Sequence, residues 1–377
     1  MTSDFARRRL APLALSLSLL LIAGASPVVA AEPPPGWSQE TLAVAGVARA
    51  HLRDVELEAA RDGRLIAVGV RSSPDISPSG LTILERTAGA TGTWRRLAIT
   101  NNFDSQASLA VAAGGAVNVA WARAGAGIRF TSNKSGTWKV EVISTGGVGY
   151  SPSIALTNGG TPSIAFVSTV SRTAQAIGIA SKTASGWNTR TIVTGPVADP
   201  SLRIDQFGKR HLVYMVHNGS ARGLFYATDR SGTWRTTRLT SATDVYSPRL
   251  VLDLARHVHV AYERSTPSSS RVLHVTNAAG AWVTTTASAA GGGSSPDLTL
   301  DANQRPVISY LGGQAGTSAP VWIATRTATG WTRTAATTDA LTGRSGVALR
   351  GTEVNIVGLL PFADPQNDGE LVHVARK

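Results

Sequence analysis

The chain has no cysteine and only two methionines among 377 residues, and charged residues make up 16% of it. Without cysteine there is no disulfide scaffold, no thiolate metal centre and no thioether-linked lipid anchor. Low charge combined with 42% hydrophobic residues excludes a strongly charged disordered chain. Beyond the first thirty residues no stretch is long and apolar enough to cross a bilayer. Glutamate is sparse through the middle: after Glu141 the next is Glu263, followed by Glu353 and Glu370. That thins the supply of paired acids a glycoside hydrolase would draw on. What the chain does have is 38 glycines and 18 prolines, the composition of a packed, turn-rich β protein.

The head of the chain has the mechanics of a secretory leader. Arg7, Arg8 and Arg9 supply a positive start, Leu13 to Ile22 an apolar run, and Val29-Ala30-Ala31 small residues for cleavage. Ser16, Ser18 and Pro27 interrupt it too often for a membrane anchor. A signal peptide over 1–31 is therefore expected, with one folded domain over 32–377 and an extracellular destination. Removing Arg7–Arg9 and Asp4 lowers the formal charge from +12 to +10 on the remaining part. Such a domain meets acidic partners readily, a glycan or an anionic surface polymer among them. Only five of the 36 basic residues are lysine and no basic run reaches five residues, so no nucleic-acid partner is expected.

An internal repeat accounts for the rest. A glycine closely followed by tryptophan recurs at Trp37, Trp94, Trp138, Trp187, Trp234, Trp282 and Trp331, at intervals of 57, 44, 49, 47, 48 and 49. Apolar pairs two residues apart recur in the same rhythm at Val55/Leu57, Leu109/Val111, Ile154/Leu156, Leu202/Ile204, Leu250/Leu252, Leu298/Leu300 and Val347/Leu349. Pro152, Pro200, Pro248 and Pro296 precede four of these pairs and predict strand starts. A third register places Trp121, Phe166, Tyr214, Tyr262 and Tyr310 late in the following strand. Four short strands per unit of about 50 residues predict a β-propeller. The last unit lacks its Trp strand, whereas Trp37 opens a strand before any complete unit. The fold expected is thus all-β, a seven-bladed propeller of four-stranded blades, closed by the N-terminal strand joining the last blade. The long first interval places extra residues near 71–80 and 47–53.

Tryptophans repeated in every blade read first as packing wedges, and only second as sugar platforms. His211, His257 and His259 invite a zinc reading, yet adjacent blades diverge and the sequence offers no converging acid, so no metal is expected. Asp364 to Asp368 (DPQND) offers too few oxygens for calcium. No cofactor is expected either. Loops that enter innermost strands and loops that leave second strands share one face of a propeller, so their non-repeating residues converge there. That logic nominates Tyr150, Tyr214, His217, Tyr246, Arg249, Tyr262, Asp297 and Arg344 as ligand-binding residues. Asp104, Asp199, Asn218, Arg222 and Arg264 complete the rim.

The strings SPSIAL, PSLRID, PRLVLD and PDLTLD, each followed by IAF, VYM, VAY or ISY and then by the Gly-Trp turn, span nearly all of 32–377. On them the chain resembles bacterial secreted propellers of the sialidase-like, Asp-box type and the seven-bladed propeller lectins. SNKSGTW and TDRSGTW carry one residue fewer between Gly and Trp than an Asp-box does, and the early Arg-Ile-Pro or Arg-Leu-Pro of sialidases is absent. The resemblance implies a monomeric, lectin-like protein that binds carbohydrate or a surface polymer. The alternatives are a protein-interaction scaffold, a glycoside hydrolase, or a polysaccharide lyase using His217 or His211 as base, Tyr214 as acid and an arginine against the uronate.

Overall fold

The computed structural model describes residues 32–42, 53–71, 80–88, 93–100, 104–123, 125–143, 145, 147–171, 174–361 and 370–376. The leader, most of the extra residues of the first interval and the acidic string at 364–368 lie outside them. Among the described residues every regular element is a strand, and the 28 strands form seven antiparallel four-stranded sheets. The first strands of successive sheets contact one another in an unbroken cycle. The chain is a seven-bladed β-propeller. Its innermost strands are Arg53–Ala59, Asp104–Val111, Val148–Leu156, Val197–Ile204, Val245–Leu252, Ser294–Leu300 and Thr342–Arg350, which number blades 1 to 7.

Blade 7 is finished by the other end of the chain. Its second and third strands are Glu353–Leu360 and Glu370–Arg376, and its outer strand is Trp37–Thr41, paired antiparallel from Trp37↔Arg376 to Thr41↔Val372. The guanidinium of Arg376 lies over the Trp37 ring at 4.9 Å, a cation–π contact that fastens the seam.

The core is divided into seven apolar clusters, each spanning the gap between two neighbouring blades. Every Gly-Trp tryptophan packs into the gap between its own blade and the preceding one: Trp94 between blades 7 and 1, Trp138 between 1 and 2, and so on round to Trp37 between 6 and 7. Three indole N–H groups reach back to the outer strand of the preceding blade, Trp94 to Glu40 at 3.1 Å, Trp187 to Glu141 at 2.7 Å and Trp331 to Thr285 at 3.1 Å. These side chains are wedges, as their repetition suggested.

A second bond crosses the gaps near the axis. Ser108 Oγ accepts the N–H of Ile154 (3.2 Å), Ser153 Oγ that of Leu202 (2.9 Å) and Ser201 Oγ that of Leu250 (3.1 Å). At the same register Glu56 Oε2 accepts the N–H of Leu109 (2.8 Å) and Asp297 Oδ2 that of Val347 (2.9 Å). In blade 7 the position is Gly346, where a Cβ would stand 2.6 Å from the nitrogen of Leu57, so only glycine fits.

Two sequence expectations need correction. Pro152, Pro200, Pro248 and Pro296 lie inside the innermost strands, in β-bulges where pairing skips from Tyr150 to Ser153, Ala198 to Ser201, Tyr246 to Arg249 and Ser294 to Asp297. A bulge tolerates proline, which has no N–H, because the ladder draws no donor from that position. In blade 1 the skip runs from Arg53 to Glu56, so Val55 falls in the bulge, and Leu57/Ala59 rather than Val55/Leu57 matches the pairs of the other blades.

Two measurements test this architecture. Ser153→Ala leaves the buried N–H of Leu202 without its acceptor, and chemical denaturation should show a loss of about 1–2 kcal/mol. Trp37→Ala removes the wedge from the seam and should cost about 3–5 kcal/mol in the same assay. A change below about 0.5 kcal/mol in either would contradict the assigned role.

Candidate functional site

The bulges shape one end of the central channel. Gln106, Ser151, Asp199, Ser247 and Ser295 adopt left-handed backbone with φ between 46° and 50°, and blade 7 places Gly343 there at φ 68°. Non-glycine residues in this region carry about 1–3 kcal/mol of strain each. The blades hold them with bonds of their own: Gln106 Oε1 accepts the N–H of Ser151 (2.8 Å), and Glu263 Oε2 that of Ser295 (2.9 Å). Glu263 is buried, which raises its pKa against the pull of that N–H. Antiparallel pairing sets the starts of innermost strands beside the ends of second strands, so the bulges and the loops after second strands lie on one face.

Below them a cavity of 690 Å³ follows the axis. Its lining is not sevenfold. Blades 2 and 3 present Gln106, Ser108, Ser151 and Ser153, whereas the remaining blades bring Asp199 and Arg203, Arg249, Asp297, Arg344, Glu56 and Glu58. One wall is neutral and hydroxyl-rich and the other densely charged. Arg344 Nη2 lies 3.4 Å from Glu56 Oε1, and Arg249 Nε lies 3.9 Å from Asp297 Oδ1, each pair bridging neighbouring blades. Burial pushes the carboxyls of Glu58 and Asp297 up to about 7. Arg203 opposes the rise at both, while Glu56 adds to it.

The nominated residues divide by position. Arg249, Asp297 and Arg344 come together in the channel. Tyr246 stands on the rim, 42% exposed. Tyr150, its counterpart in blade 3, is half-buried, with Gln175 Nε2 donating to its hydroxyl at 2.5 Å. His217 is exposed just past the end of the second strand of blade 4. Tyr214 and Tyr262 are buried between blades, each 2% exposed, and Tyr214 stacks on Phe225 at 5.6 Å. Neither offers a face to a ligand, because the second strand turns this position into an interblade gap. Of the wider rim, Asp104 is buried and paired with Arg123 at 3.2 Å, Arg222 is bonded to the Thr243 carbonyl at 3.0 Å, and Arg264 is paired with Asp244 at 3.1 Å.

His211, His259, His274 and His373 are buried. His211 is fully buried, its Nδ1 2.7 Å from the Tyr226 hydroxyl and its Nε2 3.5 Å from Asp205. With Tyr214 also inside, the base and acid pairing His211/Tyr214 has no access to a polymer. A carboxylate does converge on His257 and His259, contrary to the sequence reading. Asp253 Oδ2 lies 2.7 Å from His257 Nδ1 and 3.6 Å from His259 Nε2. Even so, no group of three such side chains is arranged to hold a metal among the described residues. Burial lowers the pKa of His259, and takes that of its stacked neighbour His274 down to about 3.

Sequence reasoning missed Glu56, Glu58 and Arg203. The signal was a comparison across repeats. Aligned positions read Glu56, Ser108, Ser153, Ser201, Arg249, Asp297, Gly346 and Glu58, Ala110, Ala155, Arg203, Val251, Thr299, Ala348, where charge replaces a small side chain in only some copies.

Sequence comparison finds no matching family description and no matching curated protein. Solved structures do match. An ulvan lyase, a polysaccharide lyase bound to a saccharide of glucuronic acid and sulfated rhamnose, aligns with TM-score 0.62 and 8% identity over 89% of this chain and 95% of its own. A protein of unknown function from Dyadobacter fermentans aligns with TM-score 0.57 and 11% identity over 91% and 99%. The α-L-arabinofuranosidase of Fusarium graminearum, in complex with arabinobiose, aligns with TM-score 0.51 and 17% identity over 72% and 93%. At these identities the likeness is one of fold.

The two raised carboxyls make a prediction about stability. Each is protonated in the fold at pH values where the unfolded chain has already ionised. Their stabilising contribution is therefore full below about pH 4 and is lost as pH rises through about 7. Glu58→Gln removes that loss. The variant should equal the parent near pH 4 and exceed it by roughly 1–3 kcal/mol near pH 8, read by denaturation at both values. An equal difference at the two pH values would refute the assignment.

Proposed function

We propose that this protein binds carbohydrate without transforming it, taking the ligand into the mouth of the central channel on the face that carries the bulges. The observation that carries this reading is the polarised channel. Serine hydroxyls and an amide face arginines and carboxyls across one polar cavity, as a saccharide with hydroxyls on every side requires. Exposed Tyr246 at the rim supplies a ring for sugar stacking. The fold is shared with the ulvan lyase and arabinofuranosidase described above, which supports a carbohydrate ligand. The leader read from Arg7 to Ala31 supports export, which would place the binding site outside the cell.

Catalysis has one specific observation in its favour. Glu58 and Asp297 hold protons near neutrality beside Glu56, and glycosidic cleavage needs such a donor.

A glycan array, run with reducing-end and unsaturated-product assays on the glycans that bind, separates the readings. Binding without product is expected, and Arg249→Ala should weaken it at least about tenfold, the loss of a charge-assisted contact. Released product would replace the binding reading with an enzymatic one. Silence in array and assays alike would overturn both in favour of a protein scaffold.

A further inference from the structure

The channel does not have one fixed charge. Three guanidiniums (Arg203, Arg249 and Arg344) and four carboxyls (Glu56, Glu58, Asp199 and Asp297) line it, so with all ionised it carries −1. The arginines are not equally committed. Arg344 is within 3.4 Å of Glu56, whose other oxygen is fixed by the Leu109 N–H. Arg249 stands 3.9 Å from Asp297, beyond hydrogen-bond range, and spends one N–H on the Pro248 carbonyl at 2.8 Å. Arg203 likewise gives one N–H to the Leu202 carbonyl at 2.8 Å. The Arg249 and Arg203 forks thus keep donors on the channel side that an oxyanion can claim.

We propose that the channel selects an acidic saccharide, holding a uronate carboxylate between Arg249 and Arg203, and that protons enter with the ligand. The proposal rests on the carbohydrate reading given above and adds the ligand's charge and its linkage to pH. A ligand carboxylate approaching Arg249 also approaches Asp297, and two carboxylates at one guanidinium repel unless one is neutral. Protonated Asp297 can still accept the Val347 N–H through its carbonyl oxygen and offers an O–H to the incoming oxyanion. Glu58 faces Glu56, Asp297 and Arg203, and Asp297 faces Glu56, Arg203, Arg249 and the N–H groups of Val347 and Leu298. No histidine, lysine or tyrosine lines the cavity among the described residues. Burial brings both carboxyls to about 7, so mild acid turns the channel from −1 to +1.

The test is calorimetric titration with uronate trisaccharides and their uncharged counterparts at about pH 5.5 and about pH 8, at constant ionic strength. Uronate binding should weaken about 10- to 100-fold at the higher pH, the response to two linked protons with pKa near 7, while uncharged sugars show no such change. Heats measured in buffers of different ionisation enthalpy should report proton uptake. Glu58→Gln with Asp297→Asn, whose amide oxygen still accepts the Val347 N–H, should flatten the pH response. Glu58→Gln alone should halve it on a logarithmic scale, and thermal melts at both pH values establish that each variant is folded. A flat uronate response in the parent, or a pH effect that persists in the folded double variant, overturns the proposal. Binding of uncharged sugars alone would end it while leaving the carbohydrate reading intact, whereas no binding by any saccharide would end both.

Discussion

Seven sheets form a ring only if each supplies its neighbour with apolar surface that the neighbour cannot bury alone. A single four-stranded blade has two apolar faces and cannot bury either alone. The gap between blades is therefore the unit of stability, and each gap carries its own cluster, from the one holding Val55 and Leu371 to the one holding Ile308 and Val272. The tryptophan wedge fills the outer part of the gap. Near the axis the bond from Ser108, Ser153 or Ser201 to the next blade's N–H sets how closely the innermost strands approach. Because a buried N–H without an acceptor costs more than an average hydrogen bond contributes, this small polar contact constrains what the register can hold.

The site follows from that constraint. In five blades this position supplies an acceptor to the next blade's N–H, with Arg249 and Gly346 in the other two, and serine is the smallest side chain that provides one across the gap. Glu56 and Asp297 meet the same need with a carboxylate that has a second oxygen to spare, turned toward Arg344 or Arg249. Chemistry thereby enters the channel at positions where most blades already make a polar contact. The whole chain is basic at +12, yet its axis holds more carboxyls than guanidiniums, so the basic excess lies away from the channel.

The ring and its count were legible because wedge and strand register repeat at nearly constant spacing, and because Trp37 stood unmatched at one end and the last unit incomplete at the other. Arg249, Asp297 and Arg344 were nominated because innermost-strand entries share one face, and they do line the channel. Tyr214 and Tyr262 were misread because a residue late in the second strand alternates between rim and gap with a shift of one position, and spacing alone does not tell which. The bulges hid themselves as well: serine-proline reads as a strand start, and the left-handed residue that makes it a bulge is a serine or aspartate where glycine would have announced it. Glu56, Glu58 and Arg203 were visible only as departures from a repeat, after its register was known.

The seam in blade 7 has a consequence for assembly. Among the described residues the first strand in chain order, Trp37–Thr41, finds its partner in the last, Glu370–Arg376. Blades 1 to 6 are built from consecutive strands and can form as the chain lengthens, whereas the ring cannot shut until Glu370–Arg376 arrives. Until then blade 7 lacks its two outer strands, so the gap between blades 7 and 1 is without Leu371 and the gap between blades 6 and 7 without its Trp37 wedge. The blade that completes the channel is therefore itself completed only when the two strands most distant in the sequence join.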